Sequence, residues 1–334
     1  MMPMGATLHT GDLSMEDIVD YAQAAERMGL DGFWLTEESG KEAFAVLAVL
    51  AQHTRHIALG TGIINFYSRS PTLIAMGAST IDHLSGGRMR LGLGSGGIGF
   101  MQRGHGIAIE KPLVRAREYV TIIRRLLAGE RISHEGRWFR PSNFRLREQP
   151  FRKTMEIYLS ALNPKMTQLA AEICDGFIAN CITEEYLKEL RENIRIGAAR
   201  SGRDPSEVRI LTLTMTCVEP GDAEALLAIK KGLALYCASP HYHHIFGLSG
   251  FLEEAQRLKA IWETGDFDGA ARAMSDSMVE TFTVTGSTAH CRRRIQFYLD
   301  NGVYPIIYPL PRRGRVLEDM KAAVRLAAEY ARRD

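Results

Sequence analysis

The chain has 334 residues, of which 46% are hydrophobic and 24% charged, and its formal charge is +2. This fits a globular protein with a large core and gives no electrostatic reason to expect nucleic acid or an acidic membrane surface as partner. No apolar run approaches the roughly 20 residues of a membrane span, no basic-then-apolar leader is present, and the five cysteines (Cys174, Cys181, Cys217, Cys237, Cys291) form no C-x-x-C pair, which reads as small core residues in a reducing, cytoplasmic compartment.

Short β-branched or apolar runs alternate with helical patterns along the chain. Candidate strands are 2–8, 31–36, 56–61, 88–94, 156–160, 175–180, 208–217 and 303–310. Ser14 is placed to cap the first helix, with Asp17 three residues on; Ile18, Ala22, Ala25 and Met28 share its inner face and Gly29 ends it. Ser70-Pro71 opens a further helix that stops at Gly86-Gly87, and 115–127 and 317–332 show the same 3.6-residue period. Short apolar strands alternating with helices imply a parallel sheet covered on its outer face, and eight such units close most naturally into a (β/α)8 TIM barrel. Two stretches break the repeat. Residues 129–143, after strand four, read as a surface hairpin; 219–302, after strand seven, is too long for one crossover and reads as extra helices broken around 239–250. No low-complexity linker divides the chain, so 1–334 is read as one barrel domain.

The fifth strand-to-helix junction, Ser160-Ala161-Leu162-Asn163-Pro164-Lys165, puts Asn163 at an N-cap and Pro164 in the first helical turn. Unpaired N–H groups and a partial positive charge suit such a terminus to an anion such as phosphate, and Lys165 adds a full charge. A well-capped helix with no ligand is the alternative reading of the same residues. Gly92-Leu93-Gly94-Ser95-Gly96-Gly97 matches G-x-G-x-x-G after a strand, but the segment up to Gly106 reads as a loop and the next helix starts only near Pro112. A dinucleotide site needs a helix opening inside the motif. The glycines instead read as room for a bound ring or substrate at the barrel mouth.

These runs together resemble the luciferase-like superfamily of flavin and deazaflavin barrel enzymes. The resemblance rests on Gly60-Thr61-Gly62-Ile63-Ile64-Asn65, Arg69-Ser70-Pro71, Asp82-His83-Leu84-Ser85-Gly86-Gly87-Arg88 and Leu91-Gly92-Leu93-Gly94. It continues through Glu110-Lys111-Pro112-Leu113, Arg117-Glu118-Tyr119, Asn163-Pro164-Lys165-Met166 and Asp175-Gly176. In the last third, Gly265-Asp266-Phe267 and Val284-Thr285-Gly286-Ser287 are similar to the methylenetetrahydromethanopterin reductase branch, which uses coenzyme F420.

The resemblance implies a cofactor site and a chemistry. It implies a bulge after the third strand with a non-prolyl cis bond at Gly62-Ile63 backing the ring, Asn65 at the ring edge, and Thr61, Gly94, Ser95 and Gly96 lining the same site. It places the cofactor phosphate at Ser160, Ala161, Asn163, Pro164, Lys165 and Met166. It implies a homodimer and hydride transfer between F420 and a small organic substrate, with an FMN-dependent monooxygenase or a non-catalytic flavin-binding protein as alternatives. The pterin reductases carry a catalytic glutamate on the first strand where this chain has Thr7, and relatives often have Asp-His where it has Glu37-Glu38. Family sugar-phosphate dehydrogenases have a carboxylate where Gly97 falls. The titratable groups left to face the mouth are His9, Glu37, Glu38 and His105, with His9, Glu37 and Glu38 the catalytic candidates. Strand alternation favours Glu38: if Thr36 faces the axis, Glu38 does too and Glu37 turns toward the helices.

Two clusters read as structural. His241-Tyr242-His243-His244 lacks a carboxylate or cysteine at ligand spacing and reads as a surface or contact loop rather than a zinc site, so no metal is expected. Arg292-Arg293-Arg294 and Arg312-Arg313 read as helix-end charges or contacts to an acidic cofactor tail, not as a nucleic-acid patch.

Overall fold

The computed structural model describes residues 4–11, 13–221, 223–310 and 315–331. Its strands are β1 (Gly5–Leu8), β2 (Gly32–Leu35), β3 (Ala58–Thr61), β4 (Ile64–Asn65), β5 (Met89–Gly94), β6 (Ile157–Ser160), β7 (Gly176–Ile178), β8 (Arg209–Val218), β9 (Val284–Gly286) and β10 (Val303–Pro309). They pair in parallel in the order β10-β1-β2-β3-β5-β6-β7-β8, and β10 also pairs with β8. The sheet is therefore a closed eight-stranded parallel barrel ringed by helices. β4 pairs with β5 and β9 with the far end of β8, both outside the closure path.

Period-two alternation decides what fills the barrel. Trp34, Tyr158, Ile178, Leu211, Leu213 and Ile306 form an interior cluster separate from the core between sheet and helices. The Trp34 indole fits because Gly5, Gly32 and Gly60 have no side chains: a Cβ at these positions would lie 2.9, 2.9 and 2.4 Å from its ring. Tyr158 and Tyr304 meet the indole edge-on, with centroids 5.7 and 6.3 Å away. Phe33 and Leu35 point the other way, into the outer core.

The helix signals act locally as their chemistry requires. Ser14 and Asp17 form a reciprocal capping box on Met15–Arg27. Ser70 caps Pro71–Ser85, and Gly86 ends that helix in the left-handed region at φ 70°. The 129–143 hairpin narrows to a single antiparallel bridge, Ile132 to Phe144. Buried Glu118 pins it by accepting the Phe139 N–H at 2.8 Å.

The sequence reading needs correction at three places. Residues 98–105 are the helix Ile98–His105, not a loop; with Gly97 as its N-cap it has no capping side chain, and fully buried Met101 anchors it in the core. What argues against a dinucleotide fold is instead the closure of β5 between β3 and β6. Residues 240–248 are also helical (Pro240–Leu248), with the breaks confined to either side. His244, read as lacking a nearby carboxylate, has Nε2 2.7 Å from Glu189 Oε2, a contact made by folding and invisible to local spacing. Arg312 and Arg313 lie outside the described residues. Arg292 pairs with Glu329, and Arg294 donates to the carbonyls of Ile182 and Thr281. Among the described residues no group of three or more His, Cys, Asp or Glu is placed to hold a metal, and no helix is long and apolar enough to cross a membrane.

Candidate active site

The C-terminal ends of the strands converge on one mouth, and a register shift builds its floor. Gly60 pairs with Arg90, and Ile64 with Leu93, so Thr61, Gly62 and Ile63 lie opposite only Leu91 and Gly92. That extra residue is a β-bulge, and within it the Gly62–Ile63 peptide bond is cis. The Thr61 hydroxyl donates to Gly92 O at 2.8 Å and accepts from Gly92 N–H at 2.9 Å. The hydroxyl's only proton is thereby spent on the bulge, which makes Thr61 a builder of the site rather than a free donor. Gly62 N–H donates to Leu35 O at 2.7 Å, which ties the bulge to β2.

Above the bulge the mouth is lined by glycine backbone. A Cβ on Gly94 would lie 2.9 Å from the Ile63 side chain and 3.0 Å from Ser160 Cβ, so that glycine is what lets β4, β5 and β6 approach. Gly96, at φ 73°, turns the chain away past Ser95 and packs near Asn65 and Met101. Asn65 is buried; its Oδ1 accepts the N–H groups of Tyr67 and Ser68 at 3.1 and 2.8 Å, while its Nδ2 has no partner among the described residues. Thr7, also fully buried, has an unpartnered hydroxyl. These are two of twelve buried side-chain polar atoms without a partner among the described residues.

The phosphate candidate is a real helix terminus. Asn163 caps Pro164–Ile173 without using its side chain, and its carbonyl accepts from Met166 N–H and Thr167 N–H, both at 3.0 Å. Asn163 and Lys165 are exposed, Ser160 and Met166 are half-buried, and Ala161 is buried with its N–H on Ile178 O at 3.0 Å. Ser160 Cβ beside Gly94 joins this terminus to the bulge.

The two adjacent glutamates part company. Glu37 is nearly buried and bidentate on Arg69, at 2.5 and 2.8 Å, and accepts from Ala43 N–H at 3.1 Å; it faces the helices. Glu38 is half-exposed at the mouth, its Oε2 3.3 Å from His9 Nε2. His9 Nδ1 accepts from Gly11 N–H at 3.2 Å, which assigns the ring proton to Nε2 and aims it at Glu38. His105 ends the Ile98–His105 helix, exposed, with its ring edge-on to Phe100.

Sequence reasoning missed the wall opposite. Tyr236 and Tyr242, from helices Ala223–Cys237 and Pro240–Leu248, stack 4.5 Å apart at 5°. The Asn180 side-chain amide bridges both hydroxyls at 3.2 and 3.3 Å. Burial raises the pKa of Tyr236, Tyr242 and Tyr308, and the charge of Glu38 pushes each further in the same direction, so all three phenols are protonated at neutral pH. Continuing the alternation from Ile178 to Asn180, and from Ile306 to Tyr308, would have found two of these groups; nothing local marks the stacked pair.

A sequence model of the luciferase-like monooxygenase family matches residues 2–304. The chain belongs to that family. It is 32% identical over 305 residues to 5,10-methylenetetrahydromethanopterin reductase of Archaeoglobus fulgidus, covering 90% of this chain and 91% of that one. Its fold is similar to that of the coenzyme F420-dependent tetrahydromethanopterin reductase of Methanopyrus kandleri, with a TM-score of 0.86 at 23% identity, covering 98% and 97% of the two chains. It is also similar to an F420-dependent secondary alcohol dehydrogenase solved with an F420-acetone adduct, with a TM-score of 0.76 at 18% identity over 100% of both chains. This family member is an enzyme, an oxidoreductase of the luciferase-like barrel type.

Proposed function

We propose that this luciferase-like oxidoreductase binds coenzyme F420 at the barrel mouth and moves a hydride between it and a small organic substrate. The carrying observation is the buried, unpartnered Nδ2 of Asn65 beside the glycine-lined bulge. It leaves a donor for a ring carbonyl beside glycine backbone that a ring can approach without meeting side chains, so the residues present fit the group. Asn65, Ile63, Gly94, Ser95 and Gly96 would hold the ring; Asn163, Pro164, Lys165 and Met166 would hold the phosphate, with Ser160 and Ala161 shaping the turn. When bound, the deazaflavin supplies chemistry confined to two-electron, hydride steps.

The chain's own groups supply the proton. Hydride transfer to a carbonyl or imine must be matched by one proton, and the reverse reaction by its removal. Glu38, with His9 Nε2–H on its carboxylate, is assigned that exchange. Tyr236 and Tyr242 offer neutral O–H groups to a developing negative charge on the substrate. Glu37 positions rather than reacts, because its carboxylate is committed to Arg69 and to the first turn of Ala43–His53. The exposed stripe Leu73, Met76 and Leu84 on Pro71–Ser85 supports a homodimer, since apolar side chains at one helical face favour a covering partner.

Fluorescence titration of the purified protein with F420, and in parallel with FMN, tests the cofactor assignment. Saturable F420 binding, weakened at least tenfold in Asn65→Ala, is the expected result. FMN binding in preference to F420 would replace this reading with a flavin monooxygenase.

A further inference from the structure

We propose that the cavity at the opposite, N-terminal end of the barrel is a second binding site, for a small aromatic carboxylate. Asp31 immediately precedes β2, Arg90 and Tyr158 are the second residues of β5 and β6, and Arg209 and Val303 open β8 and β10. The cavity they line has a volume of about 380 Å³, at the far end of the strands from the mouth. A cavity of about 150 Å³ lined by apolar side chains already admits benzene, so a substituted ring fits here with room for its polar groups.

Chemistry narrows the occupant. The deep wall is apolar and aromatic: Trp34, Tyr158, Tyr304 and Leu211. Trp34 is fully buried, and among the described residues its Nε1–H makes no well-formed hydrogen bond, only a weak contact to the Tyr304 hydroxyl, which leaves this buried indole donor under-used. A ligand therefore gains by bringing an acceptor to that end. Of the two guanidiniums lining the cavity, Arg90 is held by Asp31 at 2.5 Å, and the Tyr304 hydroxyl donates to the same carboxylate at 3.0 Å. Arg209 is the more available. Its nearest carboxylate oxygen, on Glu156, is 3.9 Å away and is shared with Arg90, while Arg152 holds the other oxygen of Glu156 at 2.9 Å. Among the described residues Arg209 otherwise donates only to the neutral Tyr158 hydroxyl, at 3.3 Å, and its side chain is 59% exposed. A guanidinium at the open rim, an aromatic wall and an under-used indole donor together select a flat ring with a carboxylate at one end and an acceptor at the other. A free phosphate would leave the apolar wall unused, and an alkyl chain would leave the indole donor under-used.

4-Hydroxybenzoate carries both groups and is the probe. Calorimetric titration of the full chain should show saturable one-to-one binding, with tryptophan fluorescence changing in step. Arg209→Leu should weaken binding at least tenfold, and 4-hydroxybenzyl alcohol, which lacks the charge, should bind at least tenfold more weakly than the acid. Trp34→Phe should weaken binding and remove most of the fluorescence change. Because Trp34 is a core residue, the exposed Arg209 variant carries the decision if Trp34→Phe fails to fold. Absence of saturable binding at millimolar probe, or equal affinity in Arg209→Leu, overturns the assignment.

Discussion

His9 Nε2 lies 3.3 Å from Glu38 Oε2 across the barrel mouth, and the Gly11 N–H on His9 Nδ1 fixes which nitrogen faces the carboxylate. The pair joins the end of β1 to the end of β2. Under the proposed function, this pair is the group that handles the proton at the mouth. Its position follows from strand alternation running on past Leu35.

Glu38→Gln should therefore lower turnover at saturating cofactor by about 10²-fold or more, the usual contribution of a positioned acid or base. Steady-state kinetics with any accepted substrate checks this. Near-wild-type turnover in Glu38→Gln would remove it from the chemistry.

Glu37→Gln should act on stability instead. It breaks a nearly buried bidentate ion pair and leaves Arg69 with Glu42 as its remaining carboxylate partner, which should cost about 1–3 kcal/mol. The midpoint and slope of urea unfolding measure it. A wild-type midpoint would contradict the structural role.

Gly60→Ala and Gly104→Ala make a paired test of barrel packing. A methyl at Gly60 would sit 2.4 Å from the Trp34 ring, whereas at Gly104 the nearest atom, on Phe100, is 3.5 Å away. Gly60→Ala should destabilise by about 1–3 kcal/mol through overpacking, and Gly104→Ala should be neutral or slightly stabilising. Thermal unfolding of the two variants checks the order.

Lys165→Ala and Asn163→Ala should each weaken F420 binding by about 1.5–3 kcal/mol while leaving the unfolding midpoint nearly unchanged, since both side chains are exposed and neither caps the helix. Equal F420 affinity in wild type and both variants would contradict the phosphate assignment.

How much of this was legible in the sequence depends on the range of the forces involved. The barrel strands could be read because apolar period and turn residues are local, and the ends of the capped helices because Ser14, Ser70 and Gly86 act within one turn. The split of Glu37 from Glu38 was legible as alternation, although Arg69, the partner that holds Glu37, is not a neighbour in sequence. Helix Ile98–His105 was not legible: Gly99 and Gly104 weaken its local preference, and it is the burial of Met101 that anchors it. The Tyr236–Tyr242 stack was hidden for a similar reason. Its members lie on separate helices across a break at Ser239, and Asn180, the residue that ties them together, comes from the end of β7.

The most direct measurement is isotope transfer. F420 reduced with deuterium at its hydride-donating carbon is incubated with the enzyme and a panel of small carbonyl and imine compounds, and products are read by mass spectrometry. A hydride enzyme should place deuterium on one carbon of the product, independently of oxygen, and Glu38→Gln should slow that placement. Products that carry oxygen from O₂ and no deuterium would contradict F420-dependent hydride transfer.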